Sequence, residues 1–441
     1  MDERRVFRDR LMHSDGTTPF ETISLILPTF FYTTITTIVV SILRSRTHNL
    51  TLQFCTEFAT LVIPIILNVT ILADYTLQLL STSCIICLSL LFWLRTCKTP
   101  PNRPPEASTR DYITNSRSTI HIISVVAILA VDFLVFPRRF AKTETFGYSL
   151  MDVGVGLFMF SNGIVDGGRT SLRKALTGSL PLIAISVLRW LTTTLFNYHV
   201  PVSEYGVHWN FFVTLAFCRI LVSLFFTVVD VRFVWINATL LMLSHETLLQ
   251  SGLQNFVLSD AKRTTLFEAN KEGIVSVAGY ICLYLYSAYF SHLVGLKRGG
   301  ETTKKTTLKF AILSILTLLL SMICQKQFGI SRRLANSAYC FWILFIGIFM
   351  TGLYYVTGKI LEEVFTKKLR IQIHLPFIFQ AINYNGLAFF LVSNLLTGLV
   401  NIFCDTLKVD PLPSLVIISI YMLVNCALVC YFYTKQIKWK L

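Results

Sequence analysis

The sequence predicts an all-α, polytopic membrane protein, and its composition and the length of its apolar runs support this. Its 441 residues are 54% hydrophobic and only 14% charged, whereas soluble domains carry about 25% charged residues. The apolar runs are about 18–24 residues long, which is the length of a helix that crosses a bilayer. Strands of a membrane barrel would be about half as long and would alternate in polarity. We therefore expect about 13 transmembrane helices and no soluble domain.

The polar breaks between apolar runs divide the chain into thirteen predicted spans. These are 22–43, 57–73, 77–94, 118–136, 148–165, 175–197, 211–229, 233–250, 273–295, 307–324, 337–357, 373–398 and 414–433. The segment 233–250 has the weakest pattern, because it contains Ser244, His245 and Glu246. An interfacial segment is the alternative interpretation for it.

The distribution of Lys and Arg predicts how the spans are oriented. Cytosolic segments of membrane proteins carry an excess of these residues. The excess favours a luminal N-terminus and a cytosolic C-terminus, although the arginines before the first span oppose it. The Pro-rich stretch 95–117 is then a flexible cytosolic loop within one multispan domain, 1–441. The polar loops 136–147, 197–210 and 255–273 share the luminal face.

The net charge of +15 does not indicate a nucleic-acid partner. No basic helix or RNA-binding module accompanies the charge, and basic cytosolic loops account for it. Most cysteines lie in apolar runs, where Cys behaves as a small hydrophobic residue. Cys84 and Cys87 form a CxxC without a second pair or a His cluster, so we expect them to pack in a helix. The sequence predicts no metal site.

The run DFLVFPRRFAK, which begins at Asp132, places unusual charge at the end of one predicted span. Pro137 cannot continue a helix without losing a backbone hydrogen bond, so the span should end near it. An acid at that depth is partly desolvated, which favours a role as a general base. The alternative is an acid that pairs with Arg138 or Arg139 and only anchors the helix end.

Three basic residues follow Asp132 within ten positions. Lys142 can approach Asp132 only if the loop folds back over the helix end. Otherwise Lys142 is an interfacial lysine that extends toward lipid headgroups. Arg138 and Arg139 either lie among headgroups or bind phosphate, which a guanidinium can hold through two parallel hydrogen bonds.

The other two polar loops contain further candidates. His208 stands beside an interfacial Trp, so an aromatic belt and a catalytic group are both possible interpretations. Asn270 and Glu272 lie at the start of the next predicted span. Acids are favourable at a helix N-terminus, and the alternative is a polar cluster that binds a sugar or inositol.

Five segments of the chain resemble the glycosylphosphatidylinositol (GPI) inositol acyltransferases of the endoplasmic reticulum. They are GTTPFE (Gly16–Glu21), DFLVFPRRFAKTETFGYSLMDVGVGLFMFSNGIV (from Asp132), VSEYGVHWNFF (Val202–Phe212), LFEANKEGIVSVAGY (Leu266–Tyr280) and NYNGLAFFLVSNLLTGLVN (Asn383–Asn401). They occur in the family's order. The second span and the loop 95–117 do not resemble the family, and FSNGIVDGGR departs from the serine or alanine that is more usual after the valine. The resemblance implies thirteen spans in the endoplasmic reticulum membrane. It implies transfer of a fatty acyl group, typically palmitoyl, from acyl-CoA to the inositol 2-hydroxyl of glucosaminyl-phosphatidylinositol.

The resemblance also implies roles for individual residues. Asp132 and Lys142 match the acid and the lysine held to be catalytic in the family. We expect Asp132 to take the proton from the inositol hydroxyl, while Lys142 orients Asp132 or stabilises the oxyanion. No cofactor is expected, since acyl-CoA is a co-substrate, and no cysteine need carry the acyl group. The later segment Asp152–Gly156 is expected only to pack against another helix.

Substrate binding is expected at two sets of residues. Arg138 and Arg139 are candidates for binding the phosphates of acyl-CoA or of the lipid. Asn270, Glu272 and His208 are candidates for contacting the glycolipid headgroup. The expected partners are therefore acyl-CoA, glucosaminyl-phosphatidylinositol and membrane lipids.

Two other function classes are compatible with many spans and a charged loop. A lipid transporter or flippase should show internal repeats and paired discontinuous helices, and the sequence shows neither. A non-catalytic subunit of a lipid-synthesis complex would not bind acyl-CoA as a purified chain.

Overall fold

A computed structural model describes residues 13–96, 111–168, 171–195, 202–259, 263–295, 302–369 and 371–439. The chain divides into two compact units. One unit contains Thr18–Ala141 and Met350–Trp439 and is called the Asp132 unit. The other contains the N-terminal segment through Thr17 together with Lys142–Phe349 and is called the Lys142 unit.

Helices make up most of the described residues. In chain order they are α1 (Pro19–Arg46), α2 (Leu50–Val69), α3 (Ala73–Thr96), α4 (Asp111–Ala130), α5 (Leu150–Asp166), α6 (Leu172–Leu195), α7 (Phe211–Val228), α8 (Val234–Leu248), α9 (Gln254–Leu258), α10 (Leu266–Ala269), α11 (Lys271–Leu293), α12 (Thr303–Phe328), α13 (Ser337–Leu361), α14 (Phe377–Tyr384), α15 (Gly386–Phe403) and α16 (Pro411–Thr434). Short 3-10 or π-helical segments adjoin them at Arg138–Phe140, Leu249–Leu253, Glu362–Leu369 and Thr406–Lys408. Two-residue strands β1 (His13–Ser14) and β2 (Lys142–Thr143) pair in parallel.

The structure confirms a polytopic, all-α membrane protein. In the described part of the chain, 11 helices are long and apolar enough to cross a membrane. α5 has 17 residues and α8 has 15, so both are at or below the length that spans a bilayer. The count of thirteen spans therefore stays a prediction.

Some predicted boundaries differ from the helices observed. The predicted span 373–398 consists of α14 and α15, which are separated at Asn385. α3 continues through Thr96 and α4 begins at Asp111. The predicted loop 95–117 is thus helical at both ends, and its remainder, 97–110, lies outside the described residues.

Helix ends follow local capping chemistry. The side chain of Thr18 accepts a hydrogen bond from the backbone N–H of Glu21, and Pro19 occupies the first turn of α1, where its missing N–H costs nothing. Ser149 caps α5 in the same way, and α5 ends at Gly167 in the left-handed conformation. The start of α1 and both ends of α5 are therefore determined by residues at the helix ends.

Small residues allow close packing inside the Lys142 unit, where α5 lies against α11. A Cβ atom on Gly163 would lie 2.6 Å from the Tyr284 carbonyl oxygen and 2.6 Å from the Ser287 Cβ. A Cβ atom on Gly156 would lie 2.7 Å from the Tyr339 hydroxyl oxygen. The predicted packing role of Gly156 is confirmed.

We predict that Gly163→Ala destabilises the fold by about 1–3 kcal/mol, because α5 and α11 must separate to admit the methyl group. Thermal unfolding of the purified protein in detergent measures this. Gly358→Ala in α13 is the matched control, since nothing lies within 4 Å of its added Cβ and Ala favours a helix. Unfolding of Gly163→Ala at the wild-type temperature would contradict the prediction.

Candidate active site

Asp132 lies in a turn directly after α4 and is only 4% exposed. The span ends earlier than predicted, at Ala130 rather than 136. The Arg138 guanidinium explains the early end, because it donates to the carbonyl oxygen of Val131 (2.7 Å) and to that of Phe133. In a helix that continued, backbone N–H groups would donate to these carbonyl oxygens. The Arg138 guanidinium takes the place of those donors.

The carboxylate of Asp132 is oriented from within its own unit. Its Oδ2 accepts a hydrogen bond from Asn401 Nδ2 at 2.8 Å, near the end of α15. Burial lowers the pKa of Arg138, and the negative charge of Asp132 opposes this shift. The arginine thus stabilises both the turn and the ionised acid. Asn401 was not identified from the sequence, although it ends one of the five segments that resemble the family.

Arg139 connects the segment after α4 to two other parts of the Asp132 unit. Its guanidinium lies 2.9 Å from the Glu21 carboxylate and 2.6 Å from that of Asp74. Burial alone would lower the pKa of Arg139, but the hydrogen bonds that its guanidinium donates to Asp74 and Glu21 outweigh burial and raise the pKa. The GTTPFE segment therefore contributes Glu21 to the surroundings of the PRR sequence. Phosphate binding by Arg138 and Arg139 stays a prediction.

Lys142 begins strand β2 in the Lys142 unit. Its Nζ lies 2.6 Å from Glu204 Oε1, and the two side chains are 29% and 14% exposed. Sequence reasoning did not identify Glu204, which lies in the segment VSEYGVHWNFF. The loop Val202–Tyr205 thus supplies the carboxylate that the lysine contacts.

Helix packing was the only role predicted for the segment Asp152–Gly156. Asp152 has a further role, because its carboxylate binds the chain around Lys142. Its Oδ2 accepts from the backbone N–H of Thr143 (3.1 Å), from the Thr143 hydroxyl (2.8 Å) and from the Ser149 hydroxyl (2.8 Å). Its Oδ1 lies 2.7 Å from Arg332 Nε, and both side chains are buried. The carboxylate therefore fixes the strand that carries Lys142.

The segment between α12 and α13 forms hydrogen bonds with the chain that follows Lys142. The Ser331 hydroxyl donates to the Thr145 carbonyl at 2.6 Å, and Arg333 donates to the Glu144 carbonyl at 2.9 Å. Sequence reasoning missed this segment. The available signal was a second pair of adjacent arginines, Arg332 and Arg333, between two apolar runs.

The charge of Arg332 is compensated despite burial. Burial would lower the pKa of Arg332, but the negative charges of Asp152 and Glu204 raise it. For Arg333, burial prevails and lowers the pKa, against the opposing effect of Glu272. Asp152 and Arg332 are also closer, at 2.7 Å, than Glu272 and Arg333, at 3.5 Å, and a buried pair with such hydrogen bonding is costly to break.

Asn270 joins two of the polar loops. Its Oδ1 accepts from the backbone N–H groups of His208 (2.9 Å) and Trp209 (3.0 Å). Its Nδ2 donates to the Leu266 carbonyl at 2.9 Å. Gly206 has a φ of +112°, and a Cβ there would lie 2.5 Å from the Asn270 Cα, so only glycine fits this approach.

Glu272 is 0% exposed and lies 2.6 Å from Arg263 Nη2 and 3.5 Å from Arg333 Nη2. Glu272 and Asn270 therefore hold loops together, while His208 is exposed. Headgroup binding by these three residues stays a prediction. Contacts bring together the described residues 142–147, 202–210 and 263–273 of the three polar loops, and their location on the luminal face stays a prediction.

Comparison with known proteins agrees with the resemblance. The family model GWT1 matches residues 8–432. The chain belongs to the GWT1 family. Over 75% of its length it is 36% identical to GPI-anchored wall transfer protein 1 of Schizosaccharomyces pombe, 73% of which is covered. Over 88% of both chains it is 31% identical to the glucosaminyl-phosphatidylinositol-acyltransferase PIGW of Bos taurus, and the mouse protein of that name is 28% identical over 86% of both chains.

We predict that Arg332→Leu destabilises this GWT1-family protein by about 3–5 kcal/mol, because it leaves the buried Asp152 carboxylate without its cation. The temperature of thermal unfolding measures the effect. Arg232→Leu is the matched control, since Arg232 pairs with Asp230 on an exposed loop where ion pairs contribute little. Equal unfolding temperatures for Arg332→Leu and Arg232→Leu would contradict the prediction.

Proposed function

We propose that this protein is an acyltransferase of GPI-anchor biosynthesis that esterifies the inositol of a GPI precursor lipid. The observation that carries the proposal is the GWT1 family match over residues 8–432. Relatives that cover most of the chain are named glucosaminyl-phosphatidylinositol-acyltransferases. The proposed acceptor is a lipid, and a multispan membrane protein can reach a substrate that lies in the membrane. A transporter or a non-catalytic subunit is less well supported, because neither class occurs among these names.

The reaction we propose uses acyl-CoA as the donor and the 2-hydroxyl of glucosaminyl-phosphatidylinositol as the acceptor. The inositol oxygen forms a bond to the thioester carbonyl carbon, and the bond from that carbon to sulfur breaks. The hydroxyl proton moves to a base on the protein and then to the departing CoA thiolate. The products are an inositol ester and free CoA, so the step requires neither a cofactor nor a metal.

Asp132 is proposed as the base. Its carboxylate is buried beside the Arg138 charge, and Asn401 holds one oxygen. A fixed and partly desolvated carboxylate is suited to accept a proton from a hydroxyl group. Orientation of Asp132 is supplied by Asn401, so this task does not require Lys142.

Lys142 is proposed to stabilise the negative charge that develops on the thioester oxygen. Its ammonium group contacts Glu204 and retains two further N–H groups for other acceptors. A fixed positive charge aimed at a developing oxyanion is one of the strongest contributions a protein makes to acyl transfer. Of the two roles that the family resemblance allows, the contacts favour this one.

The remaining candidate residues are proposed to bind the substrates. Among the headgroup candidates, exposure favours His208 for direct contact. Asn270 holds the loop that carries His208, and Glu272 holds Arg263 and Arg333. Arg138 and Arg139 are proposed to bind phosphate of acyl-CoA or lipid in addition to their contacts within the protein. We place the enzyme in the endoplasmic reticulum membrane with a luminal N-terminus and a cytosolic C-terminus.

We predict that Asp132→Asn lowers acyl transfer by about 100-fold or more, because the amide keeps the shape and loses the base. Membranes carrying the variant are assayed with labelled acyl-CoA and glucosaminyl-phosphatidylinositol. Asp405→Asn is the control, since Asp405 is a more exposed acid of the same unit that pairs with Lys408. Near-normal activity of Asp132→Asn at normal protein levels would show that Asp132 is not the base of the reaction.

We predict that Lys142→Met lowers kcat by about 100-fold, since the oxyanion loses its counter-charge. Lys142→Arg retains the charge and should keep more activity than the Met variant, although the geometry differs. The kcat of both variants is measured at saturating substrate. Equal loss in the Met and Arg variants would show that the charge of Lys142 is not what the reaction uses.

A further inference from the structure

The surroundings of Lys142 form an ordered series of opposite charges. Lys142 contacts Glu204 at 2.6 Å, and Glu204 acts electrostatically on Arg332. Arg332 in turn contacts Asp152 at 2.7 Å. The two cations and two carboxylates alternate in sign, so each charge has an opposite charge beside it, including the buried charges of Asp152 and Arg332.

We propose that Glu204 is a positioning residue for Lys142, and that the Asp152–Arg332 pair supports both by fixing the backbone of β2. This inference rests on the proposed function and adds a residue to it. Glu204 holds the ammonium group, whereas Asp152 holds the neighbouring residue Thr143 through its N–H and its hydroxyl. The lysine is therefore restrained at both its tip and its backbone.

Several independent contacts make this support rigid. The loop that carries Glu204 is tied to the start of α11, because the Gly273 N–H donates to the Tyr205 carbonyl at 3.0 Å. The Gly147 N–H donates to the Ile330 carbonyl at 3.0 Å, which ties the chain after β2 to the segment of Arg332. A lysine held in this way needs little rearrangement when charge develops on a substrate.

The other titratable groups near Lys142 and Arg332 do not take the place of Glu204 as the partner of Lys142. Those that act on Arg332 or on Tyr205 are Asp152, Glu204, Tyr280 and Arg189. Burial raises the pKa of Tyr205 to about 12, so this phenol is neutral across the pH range of an activity assay. Asp152 is occupied by Arg332, Thr143 and Ser149. Glu204 is thus the carboxylate in direct contact with the ammonium group.

Glu204→Gln tests the proposal in the purified full-length protein. We expect kcat to fall by about tenfold or more while KM for both substrates changes less than about twofold, since the interaction acts in the transition state. Glu204→Asp should recover part of kcat, and Asp230→Asn, an acid of an exposed ion pair in the same unit, should change nothing.

A second measurement does not depend on activity. The rate at which an amine-acylating reagent modifies Lys142 is followed by mass spectrometry at about pH 8, and Glu204→Gln should raise it about threefold or more, because the charge-assisted hydrogen bond that holds the Lys142 side chain is then gone. Thr143→Val, which removes one hydrogen bond to Asp152 without changing charge, should lower kcat by a smaller factor.

The outcomes separate this inference from the proposed function. Wild-type kcat in Glu204→Gln, or equal loss of kcat in the Gln and Asp variants with an unchanged labelling rate of Lys142, overturns the positioning role. If the unmutated protein transfers no acyl group, the proposed function is wrong. The labelling rate alone then decides whether Glu204 controls Lys142.

Discussion

The buried ion pair of Asp152 and Arg332 is the interaction on which the Lys142 unit depends most. Removing two charges from water is costly, and here hydrogen bonds from Thr143 and Ser149 satisfy the remaining lone pairs of the carboxylate. The pair joins the start of α5 to the segment before α13. The strand with Lys142 takes its position from this connection through Thr143, and the loop with Glu204 is tied to the start of α11.

In the Asp132 unit, different groups stabilise a buried carboxylate and the polar turn around it. Arg138 pairs backbone carbonyls in the turn after α4 and places positive charge near Asp132. Arg139 joins that turn to Glu21 and Asp74. In both units, adjacent arginines organise a polar turn at a helix end. The arginines of the PRR sequence are thus part of the architecture, whatever they also bind.

Local sequence patterns predicted the helical membrane fold, the acid at the end of a span and the family resemblance. They did not predict Glu204, Arg332 or Asn401, because each acts on a residue that is distant in the chain and no periodicity reports such a pairing. The early end of α4 was missed for a related reason. Pro137 signals a helix break, but the hydrogen bonds from Arg138 that end the helix sooner are tertiary.

The most direct test of the account is the location of the acyl group on the product made by the purified protein. Labelled acyl-CoA and glucosaminyl-phosphatidylinositol are incubated with the protein in detergent, and the lipid product is fragmented by mass spectrometry. The account predicts that the label resides in an ester on the inositol ring and that CoA is released in equal amount. Acylation of the glucosamine nitrogen, or no product from folded protein, would contradict it.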